Sequence, residues 1–243
     1  SKHCYLLESA SQTEVWGRFS FLGYEPAMEI TCTDGVLNIR ITGEDMVVTK
    51  KVEHPGDTLR EIIEQYKTPV MEELPPFTGG LVGYFSYDYI KYSEQKLKLE
   101  DKEQQDFRDM DLMLFDQVIA FDHYRQKVLL IAGVMTDDLE ASYQKAEGKL
   151  VEMAQLLKTG PHMEFEKLKL ESDIRPQFPE AEYCKMVEKA KHYIREGDIF
   201  QVVLSNPMRA KATGNLFDTY RVLRATNASP YMFYFSRDDI EIA

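Results

Sequence analysis

Positive charge is the scarcer sign in this chain of 243 residues. Only 29 Lys and Arg face 41 Asp and Glu, leaving a net charge of −12. That balance gives no electrostatic case for binding nucleic acid or an anionic membrane surface. Cysteine is sparse as well. Cys4, Cys32 and Cys184 are widely spaced and odd in number, which argues against a disulfide framework, and no C-x-x-C points to zinc or redox work. Three reduced, mostly buried thiols in a cytoplasmic protein are the expected state. Long hydrophobic runs are missing too. A run such as 128–132 is far too short to span a bilayer, and the first residues lack the apolar region of a signal peptide.

Familiar catalytic signatures are also absent. His3, His54, His123, His162 and His192 never pair at metal-ligand spacing, and no His-Glu-x-x-His or G-x-S-x-G occurs. The run Gly79-Gly80-Leu81-Val82-Gly83 has neither the Lys-Ser/Thr of a phosphate loop nor a G-x-G-x-x-G. It reads as a strand whose glycines admit a neighbouring backbone or ring. The acidic pairs Asp137-Asp138 and Asp238-Asp239 suit helix starts and turns. Chemistry alone reveals no complete catalytic set.

What is present is a globular composition, 44% hydrophobic and 29% charged. Alternation predicts strands over 28–32 and 36–41 around the turn Thr33-Asp34-Gly35, then 46–52. Helical spacing follows over 57–66, with Asp57 as cap. An apolar hairpin is predicted from 112–122 and 127–134. A long helix follows over 137–157, burying Leu139, Tyr143, Ala146, Leu150, Met153 and Leu157. The Pro- and Gly-containing stretch 158–178 reads as a linker between a region 1–157 and a second region 179–243. That second region opens with a helix over 179–196, with Tyr183, Val187, Ala190 and Ile194 on one face and Gly197 as its stop. A strand 199–205, a helix 216–226 after Asn215, and a hairpin from 231–235 to Ile240 complete it. The last strand opens at the chain's end, so a truncated chain is expected. Hairpins with scattered helices, rather than repeated β-α-β units, predict an α+β fold.

Three polar constellations stand out. In Leu6-Leu7-Glu8-Ser9 an apolar strand ends on a carboxylate and a hydroxyl. These either meet a ligand's ammonium and polar groups or simply lead into a turn. Gln201 is an amide within an apolar strand, so it needs a hydrogen-bonding partner from the core or from a ligand. Asn227-Ala228-Ser229-Pro230-Tyr231-Met232-Phe233-Tyr234 joins a polar turn to an aromatic strand. It suits a flat amphipathic ligand or an ordinary core strand.

Together these segments resemble the large, chorismate-binding subunits of anthranilate synthases. The resemblance rests on Leu6-Leu7-Glu8-Ser9, Gly17-Arg18-Phe19-Ser20-Phe21-Leu22-Gly23, Gly79 to Tyr84 with Tyr87-Asp88, Gly197 to Ser205, and Tyr220-Arg221-x-Leu223-Arg224 through Ser229-Pro230-Tyr231-Met232-Phe233-Tyr234. All five occur in the family's order along the whole chain. One departure is Ala228, where the family usually has Pro.

The resemblance implies a chorismate-utilising α+β fold with packed antiparallel sheets and flanking helices, of which this chain carries the N-terminal portion. It implies conversion of chorismate and ammonia to anthranilate and pyruvate, with Mg²⁺, the first step of tryptophan biosynthesis. A glutamine amidotransferase subunit would supply the ammonia, and L-tryptophan would inhibit at a separate site. By resemblance that site would hold Glu8, Ser9, Pro230, Tyr231 and Met232. Gln201 would lie on an active-site strand. It matches a position that is a water-activating Lys in related isochorismate-forming enzymes, a role a neutral amide cannot fill. The family's metal ligands and catalytic His would lie downstream, so no Mg²⁺ ligands are expected within this chain and the chain alone is expected to be inactive. The alternatives are the large subunit of aminodeoxychorismate synthase, or a non-catalytic tryptophan-sensing module.

Overall fold

The computed structural model describes residues 2–9, 17–44, 46–94, 96–97 and 107–243. In chain order the first strands are β1 (Cys4–Glu8), β2 (Phe19–Tyr24), β3 (Met28–Thr33), β4 (Val36–Ile41) and β5 (Val47–Lys51). Helix α1 (Pro55–Gln65), β6 (Gly80–Phe85), a short 3₁₀ helix (Tyr87–Tyr92), β7 (Met110–Phe115), β8 (Gln117–Asp122), β9 (Lys127–Ala132) and α2 (Leu139–Thr159) follow. Then come β10 (Lys169–Leu170), β11 (Arg175–Pro176), α3 (Glu180–Glu196), β12 (Met208–Arg209), β13 (Ala212–Thr213), α4 (Phe217–Thr226), β14 (Met232–Ser236) and β15 (Glu241–Ile242). The fold is α+β, as predicted.

The chain forms two compact units, residues 1–163 with 220–243, and residues 164–219. Residues 220–243, predicted to belong with the region from 179 onward, cluster with the first unit. The cause is strand pairing: β14 lies antiparallel to β1, with Leu6 opposite Tyr234 and Glu8 opposite Met232.

Two antiparallel sheets build the first unit, in the orders β15-β14-β1-β2-β8-β9 and β5-β4-β3-β7-β6. Strand alternation distributes the side chains of the second sheet. Met28, Ile30 and Cys32 of β3 and Met110, Leu112 and Leu114 of β7 pack with Leu59 and Ile62 of α1. Between the sheets, Met113 and Phe115 of β7 meet Tyr5 and Phe235 of the first sheet, with Leu7, Phe21 and Phe77 around them. Every residue of β7 is buried, because both of its faces are covered.

That double burial corrects one expectation. The apolar run 112–122 is not one strand but two, β7 and β8, in different sheets, broken at Asp116. Asp116 is held by Lys149 Nζ of α2 at 2.8 Å. Only β8 and β9 form the predicted hairpin. Helix α1 also starts earlier than expected, on Pro55 with His54 as its N-cap. Proline suits the first helical position because its missing N–H is not needed there. Asp57 lies in the first turn, paired with Arg60 at 2.6 Å. Within α2 only Ala146 and Met153 are buried, while Leu139, Tyr143 and Leu157 are exposed. The helix docks through a narrower stripe than its pattern implies.

Two glycines admit close approach, Gly83 in the run where the sequence predicts it and Gly23 outside it. At Gly83 of β6 (φ 158°) a Cβ would lie 2.0 Å from the Asp111 carbonyl oxygen of β7. At Gly23 it would lie 2.2 Å from Cε1 of Tyr5, whose ring crosses β2 there.

The second unit is built from α3 and two short ladders, β10 with β13 and β11 with β12. Gly197 ends α3 in the left-handed conformation (φ 82°), as its sequence position predicts. Asn215 Oδ1 accepts from the Phe217 backbone N–H at 2.8 Å, capping α4. The predicted strand 199–205 does not form. No described strand pairs with it, and an isolated strand leaves its backbone groups to water.

Candidate functional site

The antiparallel register of β1 and β14 assembles the candidate site. Strand β1 ends on Glu8, directly across from Met232, the first residue of β14. Ser9 follows and is buried, as is Met232. Residues more than 220 positions apart are thus adjacent because one ladder joins them. Pro230 and Tyr231 sit just before β14 at the surface, with Tyr231 78% exposed. The Tyr231 backbone N–H donates to Ser229 Oγ at 3.3 Å, shaping the turn. So Glu8, Ser9 and Met232 are brought close together at the end of one ladder, with exposed Tyr231 next to Met232 in the chain.

Glu8 shares a face of the sheet with Leu6, Met232 and Tyr234, and α4 supplies its partners. The Tyr220 hydroxyl donates to Glu8 Oε1 at 2.7 Å, and Arg224 Nε donates to Oε2 at 2.6 Å. Helical spacing of four residues puts both donors on one side of α4. The Tyr220 ring lies 5.9 Å from that of Tyr234. Burial, and then the hydrogen bond to the Glu8 carboxylate, push the Tyr220 phenol well above its usual range, so it serves as a donor. Sequence reading quoted Tyr220 and Arg224 without giving them a role. The signal was an i, i+4 Tyr/Arg pair on a helix that precedes the strand facing Glu8.

The opposite end of β14 carries a second polar cluster. Glu29 of β3 and Asp111 of β7 point between the sheets and are buried. Arg237, in the turn between β14 and β15, reaches both, with Nη2 2.7 Å from Glu29 Oε2 and Nη1 bonded to Asp111. Arg108 adds a second cation, 2.6 Å from both Asp111 and Asp239. His3 bridges Glu29 and Asp238. The Tyr84 phenol is pushed up to about 12 by burial and then by Asp111. Strand β14 therefore runs from the Glu8 site to a pinned turn.

Gln201 belongs to the second unit, where it is exposed and outside any strand. The expectation of an amide buried in an apolar strand is not met, because no described strand pairs with the segment. Among the described residues no group of three or more His, Cys, Asp or Glu side chains is placed to hold a metal ion. The described residues therefore offer no ligand set that fits Mg²⁺. A cleft of about 320 Å³ opens beside Asp34, Glu53, Asp88, Lys91 and Tyr92. Three of its polar groups already have partners: Lys91 is 2.7 Å from Asp34 and 2.9 Å from Asp109, and the Tyr92 hydroxyl donates to Asp109 at 2.7 Å. Among the described residues no helix is long and apolar enough to cross a membrane.

Comparison with known proteins finds relatives that cover nearly the whole chain. The chain is 32% identical to anthranilate synthase component 1 of Acetivibrio thermocellus, over 96% of this chain and 48% of the relative. It is 34% identical to aminodeoxychorismate synthase component 1 of Bacillus subtilis, over 99% and 49%. The crystal structure of anthranilate synthase component I from Streptococcus pneumoniae superposes with a TM-score of 0.73 at 31% identity, over 95% of this chain and 50% of that one. The chain thus spans about half the length of the relatives it matches. The chorismate binding enzyme family matches residues 2–243, and the chain belongs to that family.

Proposed function

We propose that this chain forms half of an anthranilate synthase component 1. The whole protein would convert chorismate and ammonia to anthranilate and pyruvate, in the cytoplasm, with Mg²⁺ and a glutamine amidotransferase partner. The end of the β1–β14 ladder would be its inhibitory L-tryptophan site. One observation carries that reading: the register that sets Glu8 against Met232, with Ser9 buried beside them. A carboxylate can take an ammonium, a hydroxyl can orient a carboxylate, and a Met with an adjacent aromatic can flank an indole. Because the site joins the chain's first strand to β14, ligand binding there would bias how the two are held.

The 243 residues alone would make no anthranilate, since they amount to half of the relatives' length. Aminodeoxychorismate synthase is the second reading, favoured by the 34% identity to the Bacillus relative. The run Tyr231-Met232-Phe233 favours the first. A sensing module without chemistry is the third.

L-tryptophan binding to this chain, measured by calorimetry in wild type and Ser9→Leu, tests the site. Saturable binding that Ser9→Leu abolishes is expected. No binding, or equal binding by both proteins, would overturn the assignment. Incubation with chorismate, Mg²⁺ and ammonium salt tests the rest, and anthranilate from the chain alone would show that catalytic groups lie within these residues.

A further inference from the structure

The carboxylate that would receive a ligand's ammonium is already engaged. Both oxygens of Glu8 accept from α4, one from Tyr220 and one from Arg224, and the Glu8 side chain is only 10% exposed. An incoming cation therefore meets an ion pair, not a free anion. Displacing Arg224 with a bare amine would leave a guanidinium without its carboxylate, at a cost. Displacing it with a zwitterion need not. The ligand's own carboxylate can take the released guanidinium, which is 38% exposed and so has room to turn.

We propose that Arg224 is a specificity-determining residue of this site: an internal cation that holds Glu8 until a zwitterionic amino acid exchanges one ion pair for two. The inference rests on the reading of the β1–β14 end as an amino-acid effector site. The exchange conserves charge. The Glu8–Arg224 pair becomes a Glu8–ammonium pair and an Arg224–carboxylate pair. Tyr220 keeps its bond to the other Glu8 oxygen and holds the carboxylate in place. Arg224 would thus select for the α-carboxylate of the ligand, while Glu8 selects for its amine.

L-tryptophan and tryptamine, which lacks the carboxylate, separate the alternatives by calorimetry on the 243-residue chain. Wild type is expected to prefer tryptophan by about tenfold or more, the worth of one charge-assisted hydrogen bond. In Arg224→Gln, tryptophan is expected to bind more weakly and tryptamine more tightly, since its competitor for Glu8 is gone. A purely structural role for Arg224 would move both ligands in the same direction. Equal binding of the two ligands by wild type would overturn the proposal without any variant. So would an unchanged ratio in an Arg224→Gln protein with wild-type circular dichroism. Absence of any binding to wild type, or binding indifferent to Ser9→Leu, would instead remove the effector-site reading and the proposal with it.

Discussion

The two compact units handle apolar sequence differently. In the first, β7 is buried at every position and both faces of its sheet are covered. In the second, no described residue is fully buried. Phe200 is 96% exposed and Val203 is 83% exposed. Both units contain apolar runs of similar composition. The difference is that β7 has a sheet to join and a helix to lie under, whereas no described strand pairs with 199–205. Structure in 164–219 is therefore sparse: a left-handed Gly197 cap, an Asn215 cap and two ladders of two residues per strand. Such features give helices ends and direction but little cooperative stability.

The largest way to break this contrast is to remove Arg237. Arg237→Ala leaves Asp111 and Glu29 buried without their main cation, at an expected cost of about 3–5 kcal/mol to the first unit. Hydrogen exchange is the readout. Amides of β3 and β7 should lose protection toward the level of 164–219, while those of α3 stay as they are. An unchanged exchange pattern would mean that Arg108 and His3 hold the carboxylates unaided.

Acid sharpens the comparison. Arg18 donates to both Asp122 oxygens, at 3.0 and 2.6 Å. This bidentate bond, joined by the Arg125 backbone N–H, holds the carboxyl at about 2 instead of its ordinary 3.8. A depressed value stabilises the fold above pH 3.8, and that contribution fades as the pH falls toward 2. Asp122→Asn should cost about 1–3 kcal/mol near neutral pH. The gap from wild type should close between about pH 4 and 2. A gap that stays constant through acid would contradict the assignment.

The smallest effect concerns Tyr5. Its hydroxyl is buried with no hydrogen-bond partner among the described residues. Tyr5→Phe keeps the ring over Gly23 and removes an unsatisfied group. It should leave the first unit equally stable or raise its stability by up to about 1 kcal/mol in urea unfolding. A clear loss would mean that the hydroxyl has a partner, such as an ordered water.

Local patterns were legible where one rule decided them. The turn at Asp34-Gly35 needs positive φ at both residues, and both have it (48° and 74°). Gly197 stops α3 for the same kind of reason. Glu8, Ser9 and Met232 were legible as polar or ligand-suited groups through resemblance, but their adjacency was not. Arg224 and Tyr220 were quoted without a role because nothing along the chain says which carboxylate a helix will face. The division of 112–122 into β7 and β8 was hidden for a related reason. A run buried on both faces shows no alternation to mark where one sheet ends and another begins.

By itself, then, the sequence determined most elements, several of their caps and turns, and the family pattern. It did so because helix and strand periodicities and backbone constraints at glycine and proline act over a few residues. Tertiary structure alone decided which distant strands pair, that Glu8 lies against Met232 beneath Arg224, and that no described strand forms a ladder with 199–205. Those outcomes depend on contacts between residues far apart in the chain, where burial and charge pairing choose among partners that look locally alike.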